Sequence, residues 1–138
     1  MTKPTKGIAT DVGTEGNPGK CEYRGVDIET GKVLFHVHIP GISTNNIGEF
    51  LGAVHGLRLA LGTDKKVYSD SITAISWVRR RACKSKFQVT DRRQVQMIVE
   101  ALAFLFDNSS VVYKWDTAKW GEVPADFNRK SGSKGRRI

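Results

Sequence analysis

Val33, Phe35, Val37 and Ile39 alternate with Leu34, His36 and His38, the period of two that gives a strand one buried face. Residues 20–41 therefore read as a hairpin, with Glu29, Thr30, Gly31 and Lys32 forming its turn. Before it, residues 7–12 (GIATDV) form a first strand, which the glycines and Pro18 of residues 13–19 (GTEGNPG) break. The period then changes. Ile47, Phe50, Leu51, Val54, Leu57 and Leu61 recur at helical spacing within residues 43–62, which predicts a helix capped by Ser43 or Thr44 and ended by Gly62. A second strip on that helix, Glu49, Gly52, Ala53 and Gly56, is made of small residues below one carboxylate. Such a strip lets a helix lie close to a sheet, and closeness carries Glu49 inward.

Residues 65–70 (KKVYSD) form a short strand ending in Asp70, and a helix over residues 71–83 begins at once. The next helix, residues 91–108, carries the stripe Val95, Ile98, Val99, Leu102, Leu105 and Phe106. Residues 110–116 make the last strand and 117–123 a loop. Residues 124–130 (PADFNRK) make a short final helix with Pro124 near its first turn. This order predicts an α/β fold. Its mixed sheet has three antiparallel strands followed by two parallel ones, joined by crossovers and flanked by helices.

The 138 residues suit one domain, expected over 7–130, between a disordered lead-in (1–6) and a basic flexible tail (131–138). No apolar run approaches the roughly 20 residues that span a bilayer, and the start, MTKPTKGIAT, has no apolar signal segment. Cys21 and Cys83 form no metal-binding or redox pair motif, so free thiols in a reducing cytoplasm are expected. The formal net charge of +8 points to a polyanionic partner. Its cations cluster at 79–86 (RRRACKSK) beside Trp77, at 91–94 and in the tail.

Three carboxylates stand out by position. Asp11 closes the first strand, Glu49 lies in the first turns of the first helix, and Asp70 closes the fourth strand. Asp126, after the fifth strand, can reach the same place, with Asp116 and Glu122 as rivals. In open α/β sheets, sites form at the carboxyl ends of strands. Carboxylates gathered there need a cation among them, and a hard divalent ion meets that need.

The motifs around these residues are TDxGxxGNPG at Asp11, STNNxxE ending in Glu49, YSDS at Asp70 and PADxxRK at Asp126. Together, over roughly residues 7 to 130, they resemble the type 1 class of the ribonuclease H family. The resemblance implies a ribonuclease H-like fold and endonucleolytic cleavage of the RNA strand of RNA–DNA hybrids, leaving 3′-hydroxyl and 5′-phosphate ends. It also implies two Mg2+ ions, with Mn2+ as a substitute, held by Asp11, Glu49, Asp70 and Asp126, with Asp11 bridging both. Asn17 and Asn45 match positions that contact the hybrid, including its 2′-hydroxyls, and Thr44 matches a DNA-phosphate contact. Trp77, Arg79, Arg80, Arg81, Lys84 and Lys86 stand where the family's basic handle grips substrate. The expected partner is thus an RNA–DNA hybrid, with no membrane partner; the sequence leaves the oligomeric state open, a monomer being favoured.

The chain departs from that family in three places. Val12 follows Asp11 where glycine is usual, Ile72 follows Ser71 where a substrate-touching glutamine is common, and residues 117–123 lack the usual histidine. Lys119 is a poor proton shuttle at neutral pH. Two further readings share the pattern: a hybrid or double-stranded RNA binding module with lost or weak cleavage, and a nuclease acting on another polynucleotide. His36 and His38 share one strand face, but no third ligand stands near them in the sequence, so an exposed strand face is expected. Trp115 and Trp120 read as core and loop anchors.

Overall fold

Period-two alternation in the first half of the chain builds a sheet with two different faces. The computed structural model describes residues 2–127. Strands β1 (Ile8–Gly16), β2 (Gly19–Asp27) and β3 (Val33–His38) form an antiparallel meander. Strand β4 (Val67–Ser69) pairs parallel to β1, and β5 (Val112–Lys114) parallel to β4, giving the order β3-β2-β1-β4-β5. This is the predicted five-stranded mixed sheet, antiparallel and then parallel.

One face of β1, bearing Ile8 and Val12, joins Cys21, Tyr23, Val67 and Val112 in the main core. Helices α1 (Asn45–Ala60), α2 (Ile72–Arg80) and α3 (Arg92–Asp107) supply the rest of that core. On the other face, Ala9, Tyr68, Trp115 and Val123 form a second, smaller core. It is closed by Trp120 of the one-turn helix α4 (Thr117–Trp120), whose ring meets that of Trp115 edge-on at 5.2 Å. Both tryptophans are therefore anchors, as expected, and the indole Nε1 of Trp115 donates to the Gly121 carbonyl at 2.9 Å.

Helix α1 lies against the sheet on its small residues. A Cβ at Gly52 would sit 3.2 Å from the Tyr23 Cβ, and one at Gly56 would sit 3.1 Å from a Val67 methyl. Gly48, outside the predicted strip, is tighter still, with Val12 Cγ2 2.4 Å from its would-be Cβ. Thr44 caps the helix, its Oγ1 accepting from the Ile47 amide at 3.2 Å.

Four expectations need correction. The glycines of residues 13–19 do not break the first strand. It runs on to Gly16 because antiparallel pairing with β2 continues to Gly16–Gly19, leaving only Asn17 and Pro18, joined by a cis peptide, as the turn. The helix expected at 124–130 is absent from its described part: Pro124 and Ala125 form a turn, and 126–127 have no regular structure. Helix α4 occupies the predicted loop instead, capped by Asp116. Finally, only part of the stripe predicted for α3 faces inward. Leu105 is buried and Ile98 and Leu102 pack against the core, joined by the buried Gln94 and Ala101, whereas Val95, Val99 and Phe106 are exposed, Phe106 by 67%. The Gln94 side-chain amide donates to the carbonyls of Pro40 and Ile42, both at 2.9 Å, and these bonds set the rotation of the helix. The expected tail, 131–138, lies outside the described residues.

Both cysteines are free thiols, and burial pushes the Cys21 thiol up to about 11, far from thiolate reactivity. Among the described residues, no helix is long and apolar enough to cross a membrane.

Candidate active site

Parallel pairing of β1 with β4 ends at Ala9–Tyr68. Asp11 lies two residues beyond the last pair, where the strands part, and Asp70 follows the end of β4. The neighbours of β1 are β2 on one side and β4 on the other, so the chain's direction of winding reverses between β1 and β4, the usual place for a site in an α/β sheet. Helix α1 brings Glu49 to the same point. One carboxylate oxygen from each of Asp11, Glu49 and Asp70 lies within 4.8 Å of the other two. Asp11 is 1% exposed and Glu49 7%, so like charges meet where water screens them poorly. An all-oxygen donor set of this kind fits a hard divalent cation of the Mg2+ class better than an ion that prefers nitrogen or sulfur.

Asp126 does not belong to that group of three. It stands on the segment that closes the second core, tied down by a residue that sequence reasoning missed. Arg24, directly opposite Asp11 in the β1–β2 register, donates from Nε to the Ala125 carbonyl at 2.8 Å and from Nη2 to the Asp126 carbonyl at 2.9 Å. The Phe127 ring then covers Gly13 and lies against the Arg24 guanidinium at 4.8 Å. Oδ1 of Asp126 is buried and has no hydrogen-bond partner among the described residues. Of the two rivals, Asp116 is engaged as the α4 cap, Oδ1 accepting from the Lys119 amide at 3.3 Å, and Glu122 is exposed. Nothing local in CEYRGVD signals the role of Arg24, because its partners lie 101 and 102 residues away.

Some of the expected substrate contacts gather at one rim. Gly19 and Ser43 exchange backbone hydrogen bonds at 3.0 and 2.9 Å, fastening the Asn17–Pro18 turn to the start of α1. Across that junction Asn17 Oδ1 accepts from the Asn45 amide at 3.0 Å. Asn17 and Thr44 line a groove of about 420 Å³ with Trp77, Lys84, Lys86 and Phe87. Trp77 is mostly core, its ring edge-on to Phe50 at 5.9 Å, with one side reaching the groove. Arg79, Arg80 and Arg81 are exposed at the end of α2 but do not line this groove.

No protein-family profile matches the sequence. Among solved structures, the chain is similar to ribonuclease H1 from the halophilic archaeon Halobacterium salinarum NRC-1, at 19% identity and a TM-score of 0.51, over 82% of this chain and 86% of that one. It is also similar to the N-terminal RNase H domain of a Mycobacterium tuberculosis protein (24% identity, TM-score 0.47, 79% and 86% covered). A third similarity is to LC11-RNase H1 in complex with an RNA/DNA hybrid (20% identity, TM-score 0.49, 78% and 80% covered). The five-stranded mixed sheet of this chain, flanked by helices as in the archaeal enzyme, is thus a ribonuclease H fold.

Proposed function

We propose that this protein is an endonuclease of the ribonuclease H type, which hydrolyses the RNA strand of RNA–DNA hybrids to 3′-hydroxyl and 5′-phosphate ends. The observation that carries this reading is the convergence of Asp11, Glu49 and Asp70, from three separate elements, within 4.8 Å at the parting of β1 and β4. These three, with Asp126, whose backbone carbonyl Arg24 holds, are the residues that would hold two divalent ions. Bound there, Mg2+ would supply activation of a water and stabilisation of the leaving oxygen of a phosphodiester.

The chain's own part is to bind and orient. The Asn17–Asn45 junction offers amide groups to the minor groove of the hybrid, where 2′-hydroxyls mark the RNA strand. Thr44, Lys84 and Lys86 line the adjoining groove, suited to the phosphates of the DNA strand, and Arg79 to Arg81 extend its positive field. The Trp77 edge that reaches the groove gives it an apolar wall.

A second reading rests on one observation: residues 117–123 contain no histidine to assist proton transfer. On that reading the protein binds hybrids and cuts them weakly or not at all. One experiment separates the two: cleavage of a strand-labelled hybrid with and without Mg2+ or Mn2+, beside all-DNA and all-RNA duplexes. Metal-dependent cutting of the RNA strand alone, abolished in Asp11→Asn, is the expected result. Folded protein that binds the hybrid and never cuts it establishes the binding module instead, and equal cutting of the DNA duplex points to another polynucleotide substrate.

A further inference from the structure

The sheet face that carries Asp11 holds a second group of metal-ligating side chains. In the β2–β3 register Glu22 stands opposite His38 and Arg24 opposite His36, so all four side chains leave the sheet on one side. One ligand atom from each of Glu22, His36 and His38 lies within 4.8 Å of the other two. His36 Nε2 and Glu22 Oε1 approach to 2.5 Å, and the two imidazoles stack with centroids 5.1 Å apart. The expectation that the two histidines have no third ligand therefore fails. The missing group comes from the neighbouring strand, 14 residues before His36.

We propose that Glu22, His36 and His38 form a binding site for a transition-metal ion of the Zn2+ class, distinct from the three-carboxylate group. Two imidazoles and one carboxylate are a common set of three protein ligands for Zn2+, with water or an outside ligand in the fourth place. Imidazole nitrogen also selects against Mg2+ and Ca2+, which prefer oxygen alone. The ligands stand on two hydrogen-bonded strands, so their backbones are already in place. Tetrahedral ligands about 2.0–2.1 Å from zinc lie about 3.4 Å from one another, so the His36–Glu22 pair, now at 2.5 Å, must open by roughly an ångström, and the other pairs, all within 4.8 Å, must settle near that spacing. Both histidines are exposed, which leaves their side chains room to make that rotation and gives the ion a path from solvent. Where His36 and Glu22 now meet across a proton, the ion takes the proton's place. The inference does not depend on the proposed nuclease function.

The test uses the full chain, purified without a polyhistidine tag, stripped by chelator and titrated with Co2+ and then Zn2+ in excess Mg2+. The expected result is one Co2+ per chain with the visible absorption of a four-coordinate site, displaced by Zn2+, and a rise in Tm on Zn2+ binding. His38→Ala should weaken binding by at least about a hundredfold, since even outer-shell changes at metal sites cost ten- to a hundredfold. Glu22→Gln, close in shape, should weaken it as well, and Asp11→Asn should leave it unchanged. The proposal is overturned if the folded chain binds no Co2+ or Zn2+ in excess Mg2+. It is equally overturned if binding survives both His38→Ala and Glu22→Gln, or is lost in Asp11→Asn.

Discussion

Val12 departs from the pattern that the motifs resemble, and the three carboxylates still converge. Glycine is usual after the first aspartate, yet here a buried valine stands there, and the space it fills lies over Gly48 of α1. Because Gly48 has no side chain to meet that valine, the helix still lies close enough to present Glu49. Arg24 acts at the same scale and in the opposite sense, since its neighbours in sequence say nothing of what it does. Its two donated bonds are the link between the strand beside Asp11 and the backbone of Asp126. Replacing it as Arg24→Met keeps length and removes the donors. We expect cleavage of the hybrid to slow by about ten- to a hundredfold, as for lost outer-shell support at metal sites. Single-turnover rates measured beside circular dichroism check this. An unchanged rate in a folded variant would show that Asp126 needs no such anchor.

Among the elements, α1 was the most legible, because a helix that must approach a sheet closely leaves both a large-residue stripe and a small-residue strip in its sequence. Gly48→Ala tests that approach. Alanine favours an isolated helix by about 1 kcal/mol over glycine, but here its methyl would meet Val12 Cγ2 at 2.4 Å. The clash should win, with a net loss of about 1–3 kcal/mol in urea unfolding. Gly56→Ala, whose nearest contact is 3.1 Å, should cost less. Equal stability of Gly48→Ala and the parent chain would mean that α1 can back away freely. Helix α3 was legible only in part, for a physical reason: its apolar positions outnumber those that pack. Two hydrogen bonds from Gln94, a polar residue no stripe includes, decide which of them face in.

Over the whole molecule, the net charge of +8 becomes useful only where the fold collects it. Lys84 and Lys86 line the groove that also holds Asn17 and Thr44, although about 40 to 70 residues separate the two groups in the chain. Hybrid binding should weaken steeply with salt, because each neutralised phosphate releases condensed counterions. The double variant Lys84→Ala/Lys86→Ala should lower the slope of log K against log salt by about two. Binding isotherms at several salt concentrations measure it. A slope equal to that of the parent chain would remove these lysines from the interface.

Local patterning alone was enough for the strand–helix order as far as β5, the mixed sheet, the capped α1 and the choice of Asp11, Glu49 and Asp70, although Asp11 proves to lie within β1 and not at its end. Periodicity, caps and turn residues act between near neighbours, so they are written in the chain itself. The resemblance of the motifs added the candidate chemistry. Contacts between distant segments were settled only by the tertiary structure. Strand register put Glu22 beside His36 and His38, and it put Arg24 opposite Asp11 and within reach of residues 125 and 126. Register also carried β1 through its glycines to Gly16. A sheet joins residues by pairing, whatever their separation in sequence, and that pairing has no local trace to read.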